Sequence, residues 1–172
     1  MGRSCPEDVL SFVVGMNEAT RNQIQQTMSA RNGIEAVQPY LIFAGRCEEA
    51  INFYRKAVGA EVEMLMHFKD NPEPPQPDCP MPPSDKVMHA SIRIGNNSVL
   101  VSDGRCQEKP RFDGFSLSLT TSNEAEAKKL FTALSDGGKV EMPLTKTFFS
   151  PSFGMLADKF GVSWMIYVAP KG

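Results

Sequence analysis

Side chains suited to acid–base chemistry are few in this sequence. Two histidines, His67 and His89, and four cysteines accompany 20 carboxylates in 172 residues. His89 opens an apolar run that ends at Gly95, and Asp103 closes the next run, just before Gly104. A hairpin about residues 95–98 folds these two ends together, so the spacing points to a carboxylate–imidazole pair. Such a carboxylate fixes the imidazole's tautomer and raises its proton affinity, which makes His89 and Asp103 the candidate acid–base residues. The plainer use of the same residues is a strand-start histidine and an Asp-Gly turn. His67, between Met66 and Phe68, reads as a strand residue facing solvent or loop. Four aromatics, Tyr40, Phe148, Phe149 and Trp164, form the candidate ligand-binding set. They could line a pocket for a flat or apolar ligand, or serve as ordinary packing.

Other chemistries lack their residues. Two imidazoles exclude any three-histidine site within one chain. No G-x-S-x-G, Walker loop, H-E-x-x-H or G-x-G-x-x-G string occurs, so hydrolase, nucleotide and dinucleotide readings have no support. The cysteines (Cys5, Cys47, Cys79, Cys106) form no C-x-x-C pair. Scattered thiols of this kind are expected to be reduced, in a cytoplasmic protein. With 18 basic and 20 acidic side chains the net charge is −2, and no basic stripe announces a nucleic-acid partner. No apolar stretch approaches the roughly 20 residues of a membrane helix. The short run at residues 9–14 follows Glu7 and Asp8, not the basic residues that precede a secretory core.

The elements that would position these residues follow from periodicity. Residues 1–36 read as an N-terminal extension, with a weak helical pattern over 18–31 and no chemical motif. From Val37 the pattern changes to a strand over 37–43, a helix over 47–58 capped by Gly59, and a strand over 61–68. Simple alternation in that strand puts Val62, Met64 and Met66 on one face. Seven of the thirteen prolines fall within residues 71–83, which no helix or central strand tolerates, so this is read as a loop. Strands over 88–94 and 98–102 complete a first module, 37–104.

A second module spans 115–170, with a strand over 115–120 and two overlapping capping boxes (Thr121/Glu124 and Asn123/Glu126) opening a helix. Gly137-Gly138 ends that helix, and strands over 139–148, 153–157 and 162–168 follow. The two modules share more than element order. Shifted by 78 residues, Phe53, Gly59, Val62, Glu63 and Met64 fall on Phe131, Gly137, Val140, Glu141 and Met142. The fold class is therefore α+β: two tandem β-α-β-β-β modules forming a curved eight-stranded mixed sheet, with helices outside and a cleft on the concave face.

Several strings carry a resemblance. They include Pro39-Tyr40-Leu41, the run 50–54 (AINFY), the run 89–95 (HASIRIG), Thr147-Phe148-Phe149, and Asp158-x-Phe160-Gly161-Val162-x-Trp164. In this arrangement the chain resembles the vicinal oxygen chelate superfamily, in its PhnB-like branch, related to glyoxalase and bleomycin-resistance proteins. The resemblance covers about residues 37–170 and implies a homodimer. It also implies a divalent metal held from the first and last strand of each module. Those places fall at about Pro39 and Ser116, and at Val99 or Leu100 and Met165; none supplies the imidazole, carboxylate or thiolate donor that such a metal needs.

The sequence thus points to a small-molecule binding protein without the usual metal and with no resident cofactor. One alternative is a metal-dependent enzyme of glyoxalase or dioxygenase type. Another is a non-catalytic interaction protein acting through residues 1–36.

Overall fold

The computed structural model describes residue 33 and residues 35–72, 82–104 and 110–170. Most of the N-terminal extension, most of the proline-rich loop, and Cys5, Cys79 and Cys106 lie outside the described residues. The fold set out below is that of the compact unit Gln38–Gly172.

Strand β1 (Tyr40–Ile42) leads through Ala44-Gly45 into helix α1 (Cys47–Val58). The expected apolar stripe of α1 is the buried one: Ala50, Ile51, Tyr54 and Ala57 face the sheet, with acidic Glu48 and Glu49 in the first turn and Arg55 and Lys56 in the last. This charge order complements the helix dipole. Gly59 ends α1 in the left-handed conformation, φ 69°, where a side chain would be strained. Strand β2 (Glu61–His67), a single 3-10 turn at 68–70, and the hairpin β3 (Val87–Ile94) and β4 (Asn97–Ser102) complete the half.

The second half repeats this order as β5 (Leu117–Thr121), α2 (Glu124–Leu134), β6 (Lys139–Thr145), β7 (Phe153–Ala157) and β8 (Ser163–Val168). Of the two overlapping capping boxes, Asn123 supplies the cap, its side chain accepting from the Glu126 N–H at 2.9 Å. Helix α2 stops at Leu134, before the glycines. Gly138 is needed for the return into β6, since a Cβ there would stand 2.3 Å from the Ala157 carbonyl oxygen.

Both halves have one topology. The strands run β1-β4-β3-β2 and β5-β8-β7-β6, with the first pair parallel and the others antiparallel. The tandem module pattern therefore appears as expected. The eight strands, however, sort into two four-stranded sheets instead of one continuous sheet. Each sheet buries one face under its helix: Leu41, Ala90, Ile92 and Val101 in the first, Leu156, Trp164 and Ile166 in the second.

The shared string Val-Glu-Met has a structural cause. Val62 pairs with Ile92 and Met64 with Ser91, neighbours on β3, so Glu63 is an extra residue in β2. Val140 and Met142 pair with Leu156 and Met155 in the same way, which makes Glu141 the extra residue of β6. Each is a β-bulge. The bulge also corrects the simple alternation: Val62 and Met64 lie on opposite faces of β2, because the inserted residue reverses the phase.

The halves are joined through aromatic packing around one buried carboxylate. Phe43, Tyr54, Phe112, Phe160 and Trp164 form a cluster with neighbouring ring centroids 5.5–6.2 Å apart. Within it, Asp158 is 3% exposed and accepts four hydrogen bonds. The Phe160 and Val162 N–H groups donate at 2.9 and 3.1 Å, the Trp164 indole at 2.9 Å, and the Tyr54 hydroxyl, from the other half, at 2.7 Å. Burial, and then the Asp158 charge, push the Tyr54 hydroxyl far above its usual ionisation range. A second clasp lies outside the core. Glu49 pairs with Arg46 at 2.9 Å and with Lys159 at 3.0 Å, while both cations sit over the Phe160 ring. The Arg46 guanidinium, helped by Lys159, holds the Glu49 carboxyl down to about 2.

The two clasps should differ in weight, as read by urea unfolding. Removing the Tyr54 hydroxyl (Tyr54→Phe) should cost about 1.5–3 kcal/mol, the range for a hydrogen bond to a charged group. Asp158→Ala should cost several kcal/mol, because buried donors lose their partner (about 1–3 kcal/mol each). Glu49 is half exposed, so Glu49→Gln should cost under about 1 kcal/mol. Its contribution is fully present above the ordinary carboxylate range and is lost as pH falls toward 2, since its folded value is depressed. Parallel wild-type and Glu49→Gln stability curves between pH 5 and 2.5 would contradict this.

Candidate functional site

Each sheet leaves the face opposite its helix open, and there the two halves differ. In the first sheet, Tyr40, Leu100, Ser91 and Met64 lie side by side across four strands. Along β3, His89, Ser91 and Arg93 alternate with the buried Ala90 and Ile92, so all three belong to the open face. The bulge turns the Glu63 side chain onto this face, where the Ser91 and Ser98 hydroxyls donate to it at 2.8 and 2.9 Å. These hydroxyls, aided by nearby Arg93, lower its carboxyl below the ordinary range. Arg93 lies 3.5 Å from Glu63 and also pairs with Glu61, which leaves a braced polar strip.

In the second sheet the matching rows carry more methionines and rings. Met142, Met155 and Met165 share a row with Ser118, and Phe153 and Tyr167 share the next with Thr120. Phe149 packs edge-on against Phe153, centroids 5.2 Å apart, and Phe148 meets Phe149 edge-on as well while fully exposed itself. Thioethers and rings make an adaptable surface for a flat ligand.

His89 does find a partner, but it is Tyr40. The tyrosine hydroxyl lies 3.0 Å from His89 Nδ1, with the rings 5.6 Å apart. Asp103 serves a different purpose. It is 1% exposed; Oδ1 accepts from the Gly45 and Cys47 N–H groups at 2.8 and 2.7 Å, and Oδ2 from Val87 N–H at 2.9 Å. It thereby caps α1 from the end of β4, a task that Arg46, at the cap position itself, does not perform. The expected His89–Asp103 pair is corrected accordingly. The two residues are close along the hairpin, yet the strand alternation sends the imidazole to the open face while the turn buries the carboxylate. Burial beside Asp103 also drives the Cys47 thiol far above its usual range, so this cysteine is an inert core residue.

The aromatic candidates divide. Tyr40, Phe148 and Phe149 are exposed at the open faces, whereas Trp164 is 1% exposed, inside the junction with its N–H on Asp158. Its place on β8 puts it on the helix side. The four places where the superfamily would hold a metal also come into view. Pro39 stands at the edge of β1, Tyr40 lies beside Leu100, and Ser118 beside Met165. Ser116 and Ser163 share a hydroxyl–hydroxyl hydrogen bond of 2.7 Å. A proline, a serine and two apolar side chains do not fit a divalent ion. Among the described residues, no three His, Cys, Asp or Glu side chains gather as a cation would require. No described helix is long and apolar enough to cross a membrane.

Residues 35–167 match the family model described as 3-demethylubiquinone-9 3-methyltransferase. The chain belongs to this family. Within its PhnB-like group, the chain is 37% identical over 141 residues to protein YjdN of Escherichia coli, covering 78% of this chain and 96% of that one. It is 40% identical to the crystal structure of PA1353 from Pseudomonas aeruginosa, with a TM-score of 0.68 over 79% of this chain and 100% of the other. A Bacillus cereus structure described as a putative 3-demethylubiquinone-9 3-methyltransferase, PhnB protein, is 28% identical, with a TM-score of 0.64 over 77% and 98%. The glyoxalase-related fold of the PhnB-like family is thus the fold of this chain.

The sequence pattern revealed His89 but not its partner, because β1 reaches β3 only through β4, a pairing between residues about 50 apart. Substitutions should separate the two roles. Asp103→Ala should cost several kcal/mol, since it orphans buried N–H groups (about 1–3 kcal/mol each), and should lower the melting temperature accordingly. His89→Ala, at the open face, should stay within about 1 kcal/mol of the parent. Equal losses in the two variants would place His89 in the framework instead.

Proposed function

We propose that this chain is a small-molecule binding protein that holds its ligand on the open sheet faces, without a chelated metal. The observation that carries this reading is the chemistry at the four mapped metal places, which offer no donor set. Beside them stand a Tyr40–His89 pair, a braced Glu63, and a surface of methionines, Phe149 and Phe153. Ligand pockets are commonly built this way, from apolar walls with a few fixed polar groups. The same reading includes a homodimer. Tyr40, Ile42, Met64, Phe148 and Phe149 are 41–101% exposed, and a second copy of the chain would shelter such residues.

Two measurements test it. In elemental analysis of protein purified without chelator, metal should stay far below one ion per chain, and EDTA should leave the melting temperature unchanged. Near-stoichiometric metal whose removal destabilises the protein would favour the metal-dependent enzyme. In a thermal-shift screen of flat aromatic compounds, at least one should raise the melting temperature saturably. Substituting Met155 and Met165 by Ser should abolish that shift while leaving the unliganded melting temperature near that of the parent.

A further inference from the structure

The two nitrogens of His89 are not equivalent. Nδ1 is engaged by Tyr40 at 3.0 Å, so Nε2 is the nitrogen left to meet a ligand on the open face. Which of the two atoms in the Tyr40–His89 bond carries the proton decides what Nε2 can do. A phenol is a good donor through its single O–H and a weaker acceptor, since its oxygen lone pairs are drawn into the ring. An imidazole nitrogen lone pair is a good acceptor. The stable arrangement has the Tyr40 O–H donating to Nδ1, and a neutral ring then carries its own hydrogen on Nε2.

We infer that Tyr40 is a positioning residue that fixes the Nε2–H tautomer of His89, so that the open face presents a hydrogen-bond donor to an acceptor oxygen, a carboxylate or carbonyl, on a flat ligand. The inference rests on the ligand-binding reading for its second half only; the tautomer is a property of the free protein. The neighbouring groups agree with this division of labour. On the same face Glu63 already accepts from Ser91 and Ser98, and Arg93 is taken up by Glu61 and Glu63. In that strip the positive charge is spent internally, which leaves the His89 N–H as a donor for a ligand oxygen.

With only two histidines in the chain, long-range proton–nitrogen correlation spectra of the uniformly 15N-labelled full-length protein can separate both rings. His67, whose Nδ1 faces Asp70 at 3.4 Å, serves as the internal reference. At a pH where His89 is neutral, its Nε2 should show the protonated, pyrrole-type shift and its Nδ1 the bare, pyridine-type shift. In Tyr40→Phe the two nitrogens should move toward a mixture of tautomers while His67 stays in place. A bare Nε2 in the parent protein, or an unchanged His89 in Tyr40→Phe, overturns the assignment.

Benzoate and benzamidine, flat probes of opposite charge, test the second half. Benzoate should move the His89 Nε2 signal saturably, and its apparent affinity should fall roughly fivefold to tenfold in Tyr40→Phe, as for loss of one oriented hydrogen bond. If benzamidine moves His89 and benzoate does not, acceptor recognition is overturned while ligand binding stands. Should neither probe move His89 at saturating concentration, acceptor recognition is overturned as well. The thermal-shift screen then judges the ligand-binding reading separately.

Discussion

One buried carboxylate holds the two halves of the chain together. Asp158 takes two backbone N–H groups of its own turn, the indole of Trp164, and a hydroxyl that Tyr54 brings from 104 residues away. A charge in a core is tolerated only when its desolvation is offset by several well-aligned donors, and here four are supplied. The arrangement couples the correct turn, the correct indole rotamer and the correct docking of α1, because losing any one donor leaves the buried carboxylate short of a partner. It also explains the Asp-x-Phe-Gly-Val-x-Trp string. Asp158 and Trp164 are hydrogen-bonded to each other, Phe160 packs edge-on against Phe43 across the junction, and Gly161 turns the chain at φ 89°. The most distinctive string in the sequence is architectural.

Asp103 repeats the principle within the first half. Its two oxygens serve backbone groups from the β1–α1 turn, the first turn of α1 and the start of β3. Both carboxylates are therefore spent on the frame, and neither is available to the open face. What remains there is a braced polar strip on one half and methionines and rings on the other. Duplication has preserved topology, strand order and bulge position, while the exposed side chains have diverged. This is how one fold carries different chemistries: the frame is fixed from the helix side and the site is written on the other.

Much of the frame was legible in the sequence. The stripe of α1, the left-handed Gly59, the Asn123 cap and the tandem order depend on local spacing, and local spacing is what a sequence displays. The candidate site was legible by halves. His89 stands out by scarcity, but its bond to Tyr40 requires β1 to lie parallel to β4, and the burial of Asp103 depends on N–H groups brought from the β1–α1 turn, α1 and β3. The side taken by Trp164 is hidden for a similar reason: an indole on a strand faces either the helix or the open side, and only the folded chain shows its hydrogen bond to Asp158. The inserted Glu63 was hidden too, since a bulge needs a partner strand before it can be counted.

That inserted residue has a consequence for the behaviour of the chain among its neighbours. Strands β2 and β6 are the longer of the two edge strands in their sheets, seven residues each, long enough to template a foreign strand. The extra Glu breaks the flat ladder on both, and Pro143 removes a further donor from β6. An approaching strand therefore meets a kinked, charged border that disfavours pairing. The feature kept in both copies of the module thus interrupts the longer edge strand of each sheet.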